Sequence, residues 1–158
     1  MPTVRDIIDH ITGLADRSLG RDEGVHHGSP EAEVRGVTLS WMATPSALQA
    51  AGEAGHELLI SHDPYGALRP DDPPEGWPEW PINRRRRELL ERYGLAFARL
   101  HGTLDHLCVC DAFADLLGLG EPAEADGLVR VYEGAGCTLR DLLWRVKGCL
   151  EMPAVRVI

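Results

Sequence analysis

Two short apolar runs separated by a helical segment, VRGVTL (34–39) and HELLIS (56–61), constrain this chain more than any other feature. The connection TPSALQAAGEAG offers Thr44 as N-cap, Pro45 at the first helical position and Gly55 as a stop. Strand, helix and strand in that order make a βαβ unit, and a crossover of this length returns the chain to the same end of the sheet, so the two strands run parallel. A third run, LAFARL (95–100), follows a further helix (82–92) closed by Gly94. Together they predict a three-layer α/β fold in which a mostly parallel sheet is flanked by helices.

The remaining pattern fits around that sheet. Val4, Ile7, Ile8, Ile11 and Leu14 recur at helical spacing behind Thr3 and predict an amphipathic helix over 4–18. The polar stretch GRDEGVHHGSPEAE reads as loop, with His26 and His27 as solvated residues or as the lining of a pocket. RPDDPPEGWPEWP (69–81) is too rich in proline for a helix or a central strand, and Trp77 and Trp80 are read as packing that loop down, with contact to a ligand as the alternative. Beyond HGTLDH a helix ends at Leu117 before Gly118, LVRVYEG forms a strand, Thr138 and Asp141 cap a last helix, and PAVRVI is a short β-rich run. A β-rich run at that place predicts cover from a neighbouring subunit or a further segment.

Composition narrows the function classes. The chain has 158 residues, 44% hydrophobic and 26% charged, which suits a single α/β domain over 1–158. A net charge of −9 opposes sequence-independent binding of nucleic acid, because a phosphate backbone repels such a surface. The one compact basic run, Arg84 to Arg87, spreads around all sides of a helix and reads as a solvated helix start, with a phosphate-bearing substrate or an anionic partner as the alternative. No apolar run reaches membrane-spanning length and the N-terminus lacks the apolar centre of a signal peptide, so the reading is cytoplasmic, with no membrane partner. Cys108, Cys110, Cys137 and Cys149 match no zinc-knuckle spacing and read as buried small hydrophobes in a reduced chain. Cys108 and Cys110 keep a secondary claim on metal because they closely follow Asp105.

Chemistry is expected at the carboxyl ends of parallel strands, where open α/β sheets bind ligands. Two strands end there in ligand-grade residues. HELLIS delivers His62 and Asp63, with Pro64 stopping the strand, and LAFARL delivers His101, with Asp105 four residues on. In a continuing strand, side chains four apart would lie about 13 Å from each other, too far for one small site. A turn after His101, allowed by Gly102, brings them together, with Asp105 near the start of the next helix. Imidazole and carboxylate form a borderline-hard donor set suited to a divalent metal: zinc, manganese or iron.

The order of these pieces, GVHHGSPEAEVRGVTLSWMATPSALQAAGEAGHELLISHDP, then HGTLD, then CDAFADLLGLG, resembles the Nif-three-like family of dinuclear metal-centre, hexameric proteins, often labelled GTP cyclohydrolase type II-like. The resemblance implies that His62, Asp63, His101 and Asp105 are metal ligands, with Asp63 standing where the family has a second histidine. Met42 stands at a common family aspartate, and the tryptophan-aspartate-asparagine stretch expected before GVHHG is absent. The family completes its site with a histidine and a glutamate from a C-terminal segment, so the chain is expected to be an N-terminal portion or a divergent short member.

Two functions follow as expectations. One is a mono- or dinuclear metal-dependent hydrolase of a small phosphorylated or heterocyclic substrate, in which no catalytic residue is assigned. The other is a non-catalytic metal-binding scaffold or regulator, favoured by the changes at Met42 and Asp63. The resemblance also implies a ring-like homo-oligomer.

Overall fold

The computed structural model describes residues 1–63, 75–134 and 136–156. The chain divides into two compact units, Met1–Leu107 and Cys108–Ile158. Pro64 and residues 69–74 of the proline-rich loop lie outside the described residues.

The first unit is built on a four-stranded sheet. Its strands β1 (Gly24–His27), β2 (Val37–Ser40), β3 (Leu58–Ser61) and β4 (Ala96–Arg99) take the order β1-β4-β3-β2. The pairings of β2 with β3 and β3 with β4 are parallel, as the sequence predicts, and β1 runs antiparallel to β4. Helices α1 (Val4–Leu14), α2 (Pro45–Glu53) and α3 (Pro81–Tyr93) supply the outer layers.

Strand periodicity sorts the core between those layers. Leu58 and Ile60 of β3, with Ala96, Ala98 and Leu100 on and after β4, pack against Val4 and Ile8 of α1. Leu59, Leu95 and Phe97 point the other way, onto Leu48 and Ala51 of α2 and Leu89 and Leu90 of α3. Each fully buried leucine is worth roughly 1.5–3 kcal/mol relative to exposure, so the central strand is pinned from both faces. α1 starts with a capping box: Thr3 Oγ1 accepts from the Asp6 amide while the Asp6 carboxylate accepts from the Thr3 amide. It ends at Leu14, four residues before the predicted stop, because Asp16 turns the chain at φ 48°.

Three further readings change. GVHH is a strand and not a loop: its backbone pairs with the otherwise open edge of β4, a partner that local sequence does not reveal. Arg86 is buried and not solvated; its Nε donates to Ala43 O at 2.7 Å and its Nη1 to Asn83 Oδ1 at 2.9 Å, tying α3 to the start of α2. Trp77 is only half-buried, in a three-residue helical turn (Trp77–Glu79), and Trp80 is exposed.

The helix α4 (His101–Leu104) leads through a π-type turn (Asp105–Val109) into α5 (Cys110–Leu117), which ends at Gly118 as predicted. In the second unit, β5 (Glu124–Asp126) and β6 (Val129–Val131) form a hairpin over the loop Gly127-Leu128, with Gly127 at φ 53°. A last helix, α6 (Leu139–Cys149), carries the predicted Thr138–Asp141 capping box. Arg145 Nη1 donates to Leu117 O at 3.1 Å, joining α6 to the end of α5. Residues 153–156 form no strand, which corrects the β-rich reading of PAVRVI. The cysteines are not buried either: Cys108 and Cys149 are exposed, Cys110 and Cys137 half-buried, because a unit of this size has little interior to offer. Among the described residues no helix is long and apolar enough to cross a membrane.

Two positions test this packing. Gly28 follows β1 at φ 85°, and a Cβ there would lie 2.9 Å from Ala96 Cα. Gly28→Ala is expected to cost about 2–4 kcal/mol in urea unfolding, from the left-handed backbone together with overpacking. Glu57, just before β3, accepts from the backbone amides of Arg35 and Gly36 and from the Arg35 guanidinium, at 2.7–3.0 Å. Led by the Arg35 amide, these bonds lower its carboxyl from 4.5 to about 2. A pKa depressed on folding contributes stability above the unfolded value and loses it as pH falls through the folded one. Acid titration followed by circular dichroism should therefore show this contribution fading between about pH 4.5 and 2, and the step should shrink in Glu57→Gln.

Candidate metal centre

β3 and β4 end side by side. Their parallel register pairs Ser61 with Arg99, and the Leu100 amide donates to Ser61 O at 3.0 Å. His62 and His101 thus leave neighbouring strands at the carboxyl edge of the sheet, their ring centroids 4.8 Å apart and nearly perpendicular.

Asp105 reaches this point by a route the sequence reading did not take. His101 itself opens α4, and no turn at Gly102 intervenes. One helical turn then brings Asp105 onto the face of His101, since residues four apart on a helix are neighbours. The Asp105 carboxylate lies between the imidazoles, with Oδ1 2.8 Å from His62 Nε2 and Oδ2 3.7 Å from His101 Nε2. One potential ligand atom from each of His62, His101 and Asp105 falls within 4.8 Å of the others. Asp63 stands on the opposite side of His62, its Oδ1 3.7 Å from Nδ1. Cys108 and Cys110 are not part of the three-residue group.

Of the supporting residues, Asp22, Glu23, Trp41 and Arg99 were not singled out by the sequence. Arg99, the last residue of β4, is buried; its Nε donates to His62 O at 3.1 Å and its Nη1 to Asp22 Oδ2. The same Asp22 oxygen is 3.3 Å from His101 Nδ1. Burial opposes ionisation of Asp22, yet its own backbone amide, the Arg99 charge and His101 together hold its carboxyl below the ordinary value. Glu23, whose side chain is fully buried, accepts from the Thr103 amide at 2.8 Å and from the Gly20 amide, with Arg17 at 3.8 Å. It therefore caps the helix that carries His101 and Asp105 from a point 80 positions earlier in the chain. Trp41, just past β2, accepts from the Asp63 amide at 2.8 Å and stacks its ring on His62, with centroids 4.0 Å apart and planes 11° apart. His26 lies next to this group and donates through Nε2 to Asp22 O at 3.2 Å. Burial pushes its imidazole below the ordinary value, against the pull of that hydrogen bond. The sequence signal for these supports was slight: two acids at 22 and 23 directly before a Gly24…Gly28 stretch.

The donor set suits a borderline divalent ion: two imidazoles and one carboxylate, with no thiolate among them. Charge fits as well. Asp22, Asp63 and Asp105 bring three formal negative charges against one from Arg99, leaving two before the imidazoles are counted. His62 Nδ1 is buried with no hydrogen-bond partner among the described residues, and an ion held at Nε2 would require the ring proton to sit on this atom, on the side of Asp63 Oδ1 at 3.7 Å.

A family model for Duf34/NIF3 (NGG1p interacting factor 3) matches residues 2–158. The chain belongs to this family. Among solved structures it resembles reduced HcgD from Methanocaldococcus jannaschii, with a TM-score of 0.68 at 20% identity, over 93% of this chain and 60% of that one. Protein SA1388 of Staphylococcus aureus gives 0.74 at 17%, over 98% of this chain and 67% of that one. A Bacillus cereus protein related to NIF3 gives 0.63 at 20%, over 80% and 37%. This NIF3-family chain thus spans about 60% of the length of the first of these relatives. No curated protein matches it in sequence.

Glu23 gives the site its test. Glu23→Ala would leave the half-buried Gly20 amide and the amide of buried Thr103 without their acceptor, at about 1–3 kcal/mol each. The expected outcome is a loss of about 2–5 kcal/mol in chemical denaturation, with faster hydrogen exchange at the Thr103 amide than at the amides of α2.

Proposed function

We propose that His62, His101 and Asp105 hold one divalent metal ion, zinc or manganese by donor type with iron as the further candidate, and that the protein is a metal-dependent hydrolase of a small phosphorylated or heterocyclic substrate. The observation that carries this reading is the approach of one ligand atom from each of the three residues to within 4.8 Å of the others. When bound, such an ion supplies a Lewis acid that activates water near neutral pH. The chain's own residues do the rest. Arg99 fixes the His62 backbone, Asp22 faces the rear nitrogen of His101, and Trp41 covers one face of the His62 ring. Asp63, the fourth residue in the ligand set implied by family resemblance, has its carboxylate behind His62 and is assigned here to support of that ring. A ring-like homo-oligomer and a cytoplasmic setting belong to the same proposal and draw on family membership.

Metal analysis after equilibrium dialysis against zinc or manganese should find about one ion per chain. His101→Ala should abolish that uptake while circular dichroism stays unchanged; undiminished uptake would return the three residues to a role as polar residues at strand ends. A hydrolysis screen of the metal-loaded protein with phosphoesters and nucleotides then separates the two function classes. Turnover that is lost in His101→Ala supports the hydrolase, and stoichiometric metal without turnover supports the scaffold.

A further inference from the structure

The two imidazoles of the cluster face unlike surroundings. His62 directs Nε2 at Asp105 Oδ1, 2.8 Å away, and its Nδ1 has no hydrogen-bond partner among the described residues. His101 directs Nδ1 at Asp22 Oδ2, 3.3 Å away, and its Nε2 faces the open side of Asp105, 3.7 Å from Oδ2. An ionised carboxylate only accepts hydrogen bonds, so each ring nitrogen that meets one carries the proton. In their neutral forms the rings therefore take opposite tautomers, His62 with its proton on Nε2 and His101 with its proton on Nδ1.

Only one of those tautomers is ready for a metal ion, which binds the bare lone pair of a ring nitrogen. In its Nδ1–H form His101 turns a bare Nε2 towards Asp105, 3.7 Å from Oδ2. The Nε2 of His62 is not bare, and must give up its proton before it can coordinate.

We propose that Asp22 is a positioning residue for metal uptake: by holding the Nδ1 proton of His101 it keeps the Nε2 lone pair of that ring aimed into the cluster before any ion arrives. Arg99 makes this possible, because its buried guanidinium donates to the same Asp22 oxygen and fixes where the carboxylate stands. His101 would then be the residue prepared to hold the ion; for His62 to join it, the Nε2–H bond would break and an N–H would form at Nδ1, on the side where Asp63 Oδ1 lies 3.7 Å away. One proton leaves the ring and one returns, so the net charge of His62 does not change. This inference rests on the metal reading above for its consequence, but the tautomers themselves are a property of the metal-free protein.

Long-range proton–nitrogen correlation spectra of the uniformly labelled, metal-free protein read the tautomers directly, with His62→Gln and His101→Gln used to assign the signals. The expected pattern is Nδ1–H for His101 and Nε2–H for His62. Asp22→Asn, whose amide can donate to Nδ1, should shift His101 towards Nε2–H and weaken zinc binding about 10–100-fold. An Nε2–H tautomer for His101 in the wild type would overturn the proposal, and that spectrum decides even if Asp22→Asn fails to fold after losing its pair with Arg99. Reduced stability in Asp22→Asn with tautomer and zinc affinity unmoved would also overturn it, leaving Asp22 as a partner of Arg99 alone. Failure of the wild type to take up zinc at all would instead remove the metal reading, and with it any part for Asp22 in uptake.

Discussion

The candidate site depends on the register between β3 and β4. Pairing Ser61 with Arg99 sets the two strand ends level, so that His62 and His101 emerge within reach of each other. A slip of one residue would turn every side chain of a strand to the other face. That slip is opposed from both sides, because Leu58 and Ile60 are committed to the layer of α1 and Leu59 to the layer of α2 and α3. Hydrophobic sorting in the middle of the sheet thus fixes polar geometry at its edge.

The edge carries an electrostatic load that the core alone would not tolerate. A buried guanidinium is costly unless it is paired and hydrogen-bonded, and Arg99 is both, through Asp22 and the His62 carbonyl. The pairing anchors the loop before β1 to the ends of β3 and β4 at once. It also makes Asp22 a shared resource, since one oxygen serves the arginine and the histidine together. Glu23 works in the same short loop, so two adjacent acids govern the ring orientation of His101 and the start of its helix.

Much of this was legible in the sequence because it is local. Helical spacing in VRDIIDHITGL, the Thr44-Pro45 start and the apolar run LLIS each state their own secondary structure, and parallel pairing follows from their order. His62, His101 and Asp105 could be singled out because strand ends in such a sheet are where ligands bind. What escaped was non-local. GVHH has no alternation to mark it as a strand and is one only because β4 has a free edge. The helical start at His101 was hidden for a similar reason: Leu100 offers no side-chain cap, and the missing acceptor comes from Glu23, far back in the chain. Gly102 therefore looked like a turn when it is an ordinary helical residue packed under Arg17.

The positions at which the chain departs from its family's pattern bear on how many ions the cleft suits. Three ligand atoms within 4.8 Å make the donor set of a single small ion. A second ion about 3.5–4 Å away would need further hard or borderline donors on its own side. Asp63 does not turn that way, because its backbone is drawn to Trp41 and its carboxylate lies behind His62. Met42, where the resemblance places an aspartate, offers a thioether, a soft ligand poorly matched to zinc, manganese or iron(II) beside carboxylate oxygen. Both departures leave the three-residue group intact. His62, His101 and Asp105 are thus the donor group that the described residues bring together, with Asp22 Oδ2 3.3 Å from His101 Nδ1 and Asp63 Oδ1 3.7 Å from His62 Nδ1.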